Sequence, residues 1–350
     1  MGQGFHASAL AESLVGGAGL LYLVAMVVYT FYLFFKKDLI GYIGTLVGFI
    51  GFILHIVSFF MRWVEFYNLM DHQILRAIPI TNLYESLLFF ALVLAGIYLV
   101  VEFKSKNRTF GAFAFAISGA VVLFIGALGA SPHISPLIPA LQSNWLLAHV
   151  SLSFIAYVCF AIAAMAALVY LINTTENRNK PSYYVWTIIF GGSSGIIFYL
   201  IIRSIFGFTF ESVSIKILFY ALIAIGIIIT YIYGIYFKNL FKGISLNLDI
   251  VEGLTYKFIA AGFAIFTIGG IVFGAVWAEQ AWGVYWSWDP KETWAFITWV
   301  IYGIYLHGRL SGKWSKNTAA SVALIGFVVT IFTFLGVNLL LSGLHSYGSM

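Results

Sequence analysis

The residues best placed to do chemistry lie between Trp277 and Trp294, where five tryptophans and Tyr285 fall within 18 residues, beside Asp289, Lys291 and Glu292. Trp282, Tyr285 and Trp286 have the i, i+3, i+4 spacing of one helical face. Two readings are open. Indole rings gather at the headgroup level of a bilayer as an aromatic belt. They also form flat apolar shelves, and a large planar amphipathic ligand such as a porphyrin would stack on one while its carboxylates met donors or cations. Five indoles in a single connection, with no such cluster in the others, exceed what a belt needs. Seven histidines add a second element: His6, His55, His72, His133, His149, His307 and His345. His149 and His345 are expected at the depth of the tryptophan segment, and two neutral imidazoles facing each other suit the axial positions of haem iron. His307, just before Arg309, has a competing reading as an interfacial side chain that snorkels. His55 is expected to pack in an apolar span.

The elements that must position these groups are membrane helices. The chain has 350 residues, 62% apolar, 19% aromatic and only 9% charged, whereas soluble domains are roughly a quarter charged. That composition excludes a soluble enzyme and a disordered chain. The expected fold is all-α: a polytopic bundle of about ten spans of roughly 20 residues each. Apolar runs place the spans at 13–35, 40–61, 83–102, 110–129, 146–172, 186–206, 215–237, 258–278, 292–308 and 319–341. Lipid leaves backbone polar groups no partner, so each run must be helical. The stretch 238–257 reads as a hydrophilic linker. Of the 18 Lys and Arg, 13 fall in alternate connections, which makes those cytoplasmic and puts both termini on the other side. Cys159 is the only cysteine, so the chain offers no CxxCH of its own. Its net charge of +5 fits cytoplasmic loops better than nucleic acid. No Walker loop or Ser/His/Asp set is visible. The glycines at 41, 44, 48 and 51, at 191–192 and at 269–270 read as close helix contacts. Glu85, at a helix start, reads as complementing the helix dipole.

Four stretches resemble the CcsA-type (ResC-type) subunit of the System II cytochrome c synthase, within the haem-handling WWD-motif proteins. They are Trp282–Trp294, Asn338–Gly348, Pro139–His149 and Asn82–Ser86, dense over 270–350 and thin elsewhere. The resemblance implies a protein of c-type cytochrome biogenesis that moves or presents haem b for thioether formation with a CxxCH apocytochrome, as part of a haem lyase complex. Carried over, His149 and His345 are external iron ligands, Trp282, Trp286, Trp288, Asp289 and Trp294 hold the haem face, and His307 is the ligand of an inner haem. The inner haem's second ligand would come from a CcsB/ResB-type partner. The implied location is the bacterial cytoplasmic or thylakoid membrane, with the working site on the non-cytoplasmic face. Residues 1–138 would form N-terminal helices of one membrane domain, and 139–350 a haem-handling core. The pair 186–237 has no counterpart in shorter members, and Ala77 stands where members often carry histidine. Two other classes remain: a transporter whose tryptophans only anchor it, and a quinone-linked haem protein. The latter would need facing histidine pairs at two depths, and only His307 is at the inner one.

Overall fold

The computed structural model describes residues 2–69, 72–75, 77–80, 82–128, 142–207, 213–242, 244 and 246–341, with 2–8 through their backbone only. His133 and His345 lie outside the described residues, as do most of 130–145 and the tail after Leu341.

Ten long helices and no strand make up the described residues. They are α1 (Gly2–Phe35), α2 (Asp38–Leu69), α3 (Leu83–Ser105), α4 (Gly111–Leu128), α5 (Asn144–Thr174), α6 (Pro181–Phe206), α7 (Val213–Phe241), α8 (Leu248–Trp282), α9 (Pro290–Leu310) and α10 (Lys316–Leu340). Nine of these are long and apolar enough to cross a membrane; α9, the expected span with a polar start, is the more polar tenth. Polar caps, not the ends of the apolar runs, fix where five of the helices begin. Asn82, Ser143, Asn247, Asp289 and Ser315 each accept a first-turn N–H through their side chains. The 238–257 stretch is therefore mostly helix, and its linker shrinks to 242–247.

The largest departure is in α2, which continues to Leu69 instead of ending before Arg62. Arg62 is buried, not in a loop, because Glu85 on α3 accepts from its Nε at 2.7 Å and from its Nη2. A paired charge is tolerated inside a bundle where a lone one is not. Glu85 thus serves as more than a dipole partner at the start of α3. The longer α2 also puts His55 at its middle, buried, with the Tyr22 hydroxyl 3.2 Å from its Nδ1. A second buried carboxylate, Glu102, accepts from Tyr29, Tyr98 and Thr45.

Helix α5 is the axis of the bundle. It is buried without a break from Ala156 to Ile172 and packs on α8, α10 and α3. Its alanines at 161, 163, 164, 166 and 167 let neighbours approach closely. By contrast α7 buries only Thr230, Gly234 and Phe241. Its main partner is α6, where a Cβ on Gly191 would lie 2.6 Å from the Gly226 carbonyl oxygen. The expected glycine contact of α2 also forms, with Gly44 on Tyr29 and Gly48 on Phe115.

Two helices widen locally to π geometry: α8 at Thr267–Phe273 and α10 at Phe332–Gly336. Such turns are rare and concentrate at functional sites. Both flank the tryptophan segment.

Candidate functional site

The tryptophan segment is a loop between two helices. α8 ends at Trp282 because Gly283 takes φ 82°, a left-handed C-terminal stop natural to glycine. Residues 283–289 then run without helix, so Trp282, Tyr285 and Trp286 do not share a helical face as their spacing suggests. α9 opens with a capping box on Asp289 and Pro290. The Asp289 carboxylate accepts from Lys291 N at 2.9 Å. Glu292 Oε2 accepts from the backbone N–H groups of Ser287 and Asp289 at 2.7 and 3.3 Å. These two carboxylates shape the loop. Trp288 is held at φ 58°, an uncommon backbone for a bulky residue. Its ring is 64% exposed and meets Trp286 edge-on at 5.8 Å.

His149 comes to this loop from α5. Its imidazole stacks parallel to Trp277, with centroids 6.2 Å apart and planes at 12°. Its Nδ1 lies 2.8 Å from the carbonyl oxygen of Gly269, within the π turn of α8. A carbonyl only accepts, so Nδ1 carries the proton and donates; Nε2 is then the nitrogen with the lone pair. Metal-bound histidines are oriented in this way. Two glycines make the approach possible. A Cβ on Gly274 would sit 2.9 Å from the imidazole, and one on Gly269 would sit 2.2 Å from the Leu152 Cβ. The start of α5 is tied to the end of α8 by Ser143 Oγ donating to Gln280 Oε1 at 3.0 Å.

A cavity of about 50 Å³ lies beneath the loop, lined by His149, Tyr157, Trp286, Lys291, Glu292 and Thr333 among others. It is too small for a macrocycle; of its lining residues, Tyr285 is exposed. Glu292 Oε1 and the Trp286 indole N–H are buried without a partner among the described residues. The side chains present fit a porphyrin: a neutral imidazole, the edge-on indole pair Trp286–Trp288 and the Lys291 ammonium.

Lys291 ties the start of α9 to α10. Its Nζ donates to Asn338 Oδ1 at 2.9 Å and lies 5.6 Å from the Phe334 ring centre. Asn338 precedes His345 by seven residues, so this bond anchors the helix that leads to it. Lys291→Met or Asn338→Leu is expected to lower stability by about 1–2 kcal/mol. The double variant should lose no more than either alone, read by thermal unfolding of the solubilised chain.

The other expected residues are distributed as follows. Trp282 packs edge-on against Trp277 at 4.9 Å. Trp294 lies at the α9–α10 seam, 4.3 Å from Phe332, with Thr333 donating to its carbonyl. His307 is exposed near the far end of α9. It lines an open cleft of about 380 Å³ with Trp299, Gly303, Ile304, Lys313 and Trp314. His307 lies sixteen helical positions beyond Lys291, about 24 Å at 1.5 Å per residue, most of the hydrocarbon depth of a bilayer. Sequence reasoning counted Trp277 in the tryptophan segment and read Gly269 only as a helix contact, and it did not single out Gly274. Gly274 and Trp277 lie three residues apart on one helix, which is the one signal that could have joined them.

Comparison with known proteins gives the family. Residues 80–345 match the family described as Cytochrome C assembly protein. Three curated relatives carry the name "Cytochrome c biogenesis protein CcsA". The one from Porphyra purpurea is 38% identical, covering 77% of this chain and 78% of that protein. Those from Microcystis aeruginosa and Gloeobacter violaceus are 36% and 34% identical, over 77% of this chain and 79% and 78% of theirs. An all-helical membrane bundle, a capped tryptophan loop and an oriented histidine, together with this match, make the chain a member of the cytochrome c assembly protein family.

Proposed function

We propose that this chain, acting in c-type cytochrome biogenesis, holds haem against the Trp282–Trp294 loop and presents it to an apocytochrome bearing CxxCH. The observation that carries this is the bond of His149: its Nδ1–H is committed to the Gly269 carbonyl, which makes Nε2 the nitrogen to bind iron. His345, five residues beyond the end of α10 in sequence, is the second ligand. Trp286 and Trp288 supply the shelf, Trp282 backs it through Trp277, and Asp289 and Trp294 hold the loop and seam in place. The haem is haem b and is the substrate.

Attachment adds each cysteine S–H across a haem vinyl C=C, forming one C–S and one C–H bond, with no net change of oxidation state. The chain's part is to orient the macrocycle and exclude competing ligands. The reading makes the chain part of a haem lyase. His307 in its cleft is the ligand of a second, inner haem, completed by a CcsB/ResB-type partner. Residues 139–350 carry every proposed contact, with 1–138 as supporting helices. The tryptophan loop faces the non-cytoplasmic side of a bacterial cytoplasmic or thylakoid membrane. The Lys/Arg bias supports that orientation, and it strengthens once buried Arg62 is no longer counted as a loop charge.

The test is the absorption spectrum of the purified chain. A Soret band is expected in the native protein and should fall several-fold in Trp286→Ala/Trp288→Ala. Purification without a Soret band, or a band and holocytochrome yield unchanged in that variant, would favour the anchoring role of the tryptophans and remove this proposal.

A further inference from the structure

A third space lies inside the bundle, distinct from the tryptophan site and the His307 cleft. It measures about 260 Å³ and is bounded by α3, α4, α5, α6 and α10. Along α5 it runs from Phe154 to Leu168, about 21 Å of helix at 1.5 Å per residue; along α10 it runs from Leu324 to Leu335. It is therefore long and narrow. Its lining has no charged side chain and no histidine. Two of its hydroxyls are turned back on their own helices: Ser194 donates to the Phe190 carbonyl at 2.8 Å and Thr330 to the Gly326 carbonyl at 2.9 Å. Water needs several polar partners and is not held in such a space, and interiors are otherwise close-packed. A porphyrin would find neither an iron ligand nor a cation for its carboxylates. The space is also open at one seam. Val328 and Ile331 of α10 line it yet are 45% and 44% exposed, and Ser193 of α6 is exposed beside them.

We infer that this chamber binds one acyl chain of a bilayer lipid, admitted through the seam between α6 and α10. Its length, its dryness and its lateral mouth all match a chain lying along the helices. The bound chain also bears on the tryptophan site. Tyr157 lines both this chamber and the cavity under His149. Phe334 lines the chamber and lies under the Lys291 ammonium. The acyl chain thus braces the wall on which the haem-facing residues rest.

The experiment uses the full chain reconstituted in vesicles of phosphatidylethanolamine and phosphatidylglycerol, doped with phosphatidylcholine carrying a diazirine on one acyl chain. After illumination, labelled peptides are mapped by mass spectrometry. Labelling at Met165 and Leu168, both on the buried axis helix, is expected to exceed labelling at lipid-facing Ile228 of α7 several-fold. Ala164→Phe and, from the opposite wall, Ala116→Phe should remove the internal label and leave that at Ile228. Internal labelling at or below the Ile228 level in the native chain overturns the inference. So does internal label that survives a folded filling variant. Extraction of the native protein provides a second measurement: retained phospholipid, lost in a filling variant, supports the inference. A prenyl quinone or haem displaced by filling overturns it.

Discussion

Changing His149 to glycine is expected to abolish holocytochrome c formation, and exogenous imidazole is expected to restore a large part of it. The imidazole is half-buried, stacked on Trp277 and bonded to the Gly269 carbonyl, and rescue by imidazole separates loss of a ligand from loss of the fold. A companion variant separates ligation from mere presence. Gly274→Leu keeps the histidine but puts a side chain where the imidazole lies, since even a Cβ would be 2.9 Å from it. The ring must leave both Trp277 and the Gly269 carbonyl. Loss of an orienting partner lowers metal affinity about 10–100-fold, so haem retention should fall by that order while the chain still inserts. Haem-stained gels and the Soret band of the purified variants read both effects. Wild-type yield in His149→Gly would end the ligand assignment. Rescue of His149→Gly but not of Gly274→Leu is the expected pattern, because free imidazole can fill a vacated place and cannot fill an occupied one.

The second large effect is on stability. Arg62→Met is expected to destabilise the bundle by about 3–5 kcal/mol, the usual cost of removing one member of a buried ion pair. Glu85 is 1% exposed and loses both the Nε and Nη2 donors. Glu65 stands within electrostatic range of the same guanidinium, and its carboxylate oxygens have no hydrogen-bond partner among the described residues. The guanidinium therefore answers for two acids. Arg62→Met/Glu85→Leu should recover most of the loss, since no unpaired charge at position 85 remains, though Glu65 keeps part of the deficit. Thermal unfolding of the solubilised protein measures the cycle. Equal destabilisation in the single and the double variant would show that packing, not charge, governs this corner.

The helices were legible because lipid leaves a backbone one option, so each apolar run had to be helical. Their ends were less legible: the runs mark hydrocarbon depth, while caps such as Asn247 and Ser315 set the first turn. Arg62 was misread as a loop boundary because its compensation comes from Glu85, 23 residues on and on another helix. In the site, the crowding of tryptophans was plain, but the helical face drawn through Trp282, Tyr285 and Trp286 failed at Gly283. That glycine, just past a helical pattern, is a stop signal that outweighs aromatic spacing. The acceptor of His149 was invisible for another reason. It is a backbone oxygen of a π turn, and no side chain reports a carbonyl's direction.

The wide turns of α8 and α10 have an effect on design freedom. An ordinary helix advances about 100° per residue, so every side chain on a straight rod is phased to every other. One surplus residue within a turn breaks that phase. Below Thr267 and Phe332 the two rods answer to the greasy solvent around them; beyond these points they can be aimed independently, like a handle set at its own angle to a shaft. Substrate-facing residues could then change orientation in evolution without exposing a single polar group to hydrocarbon.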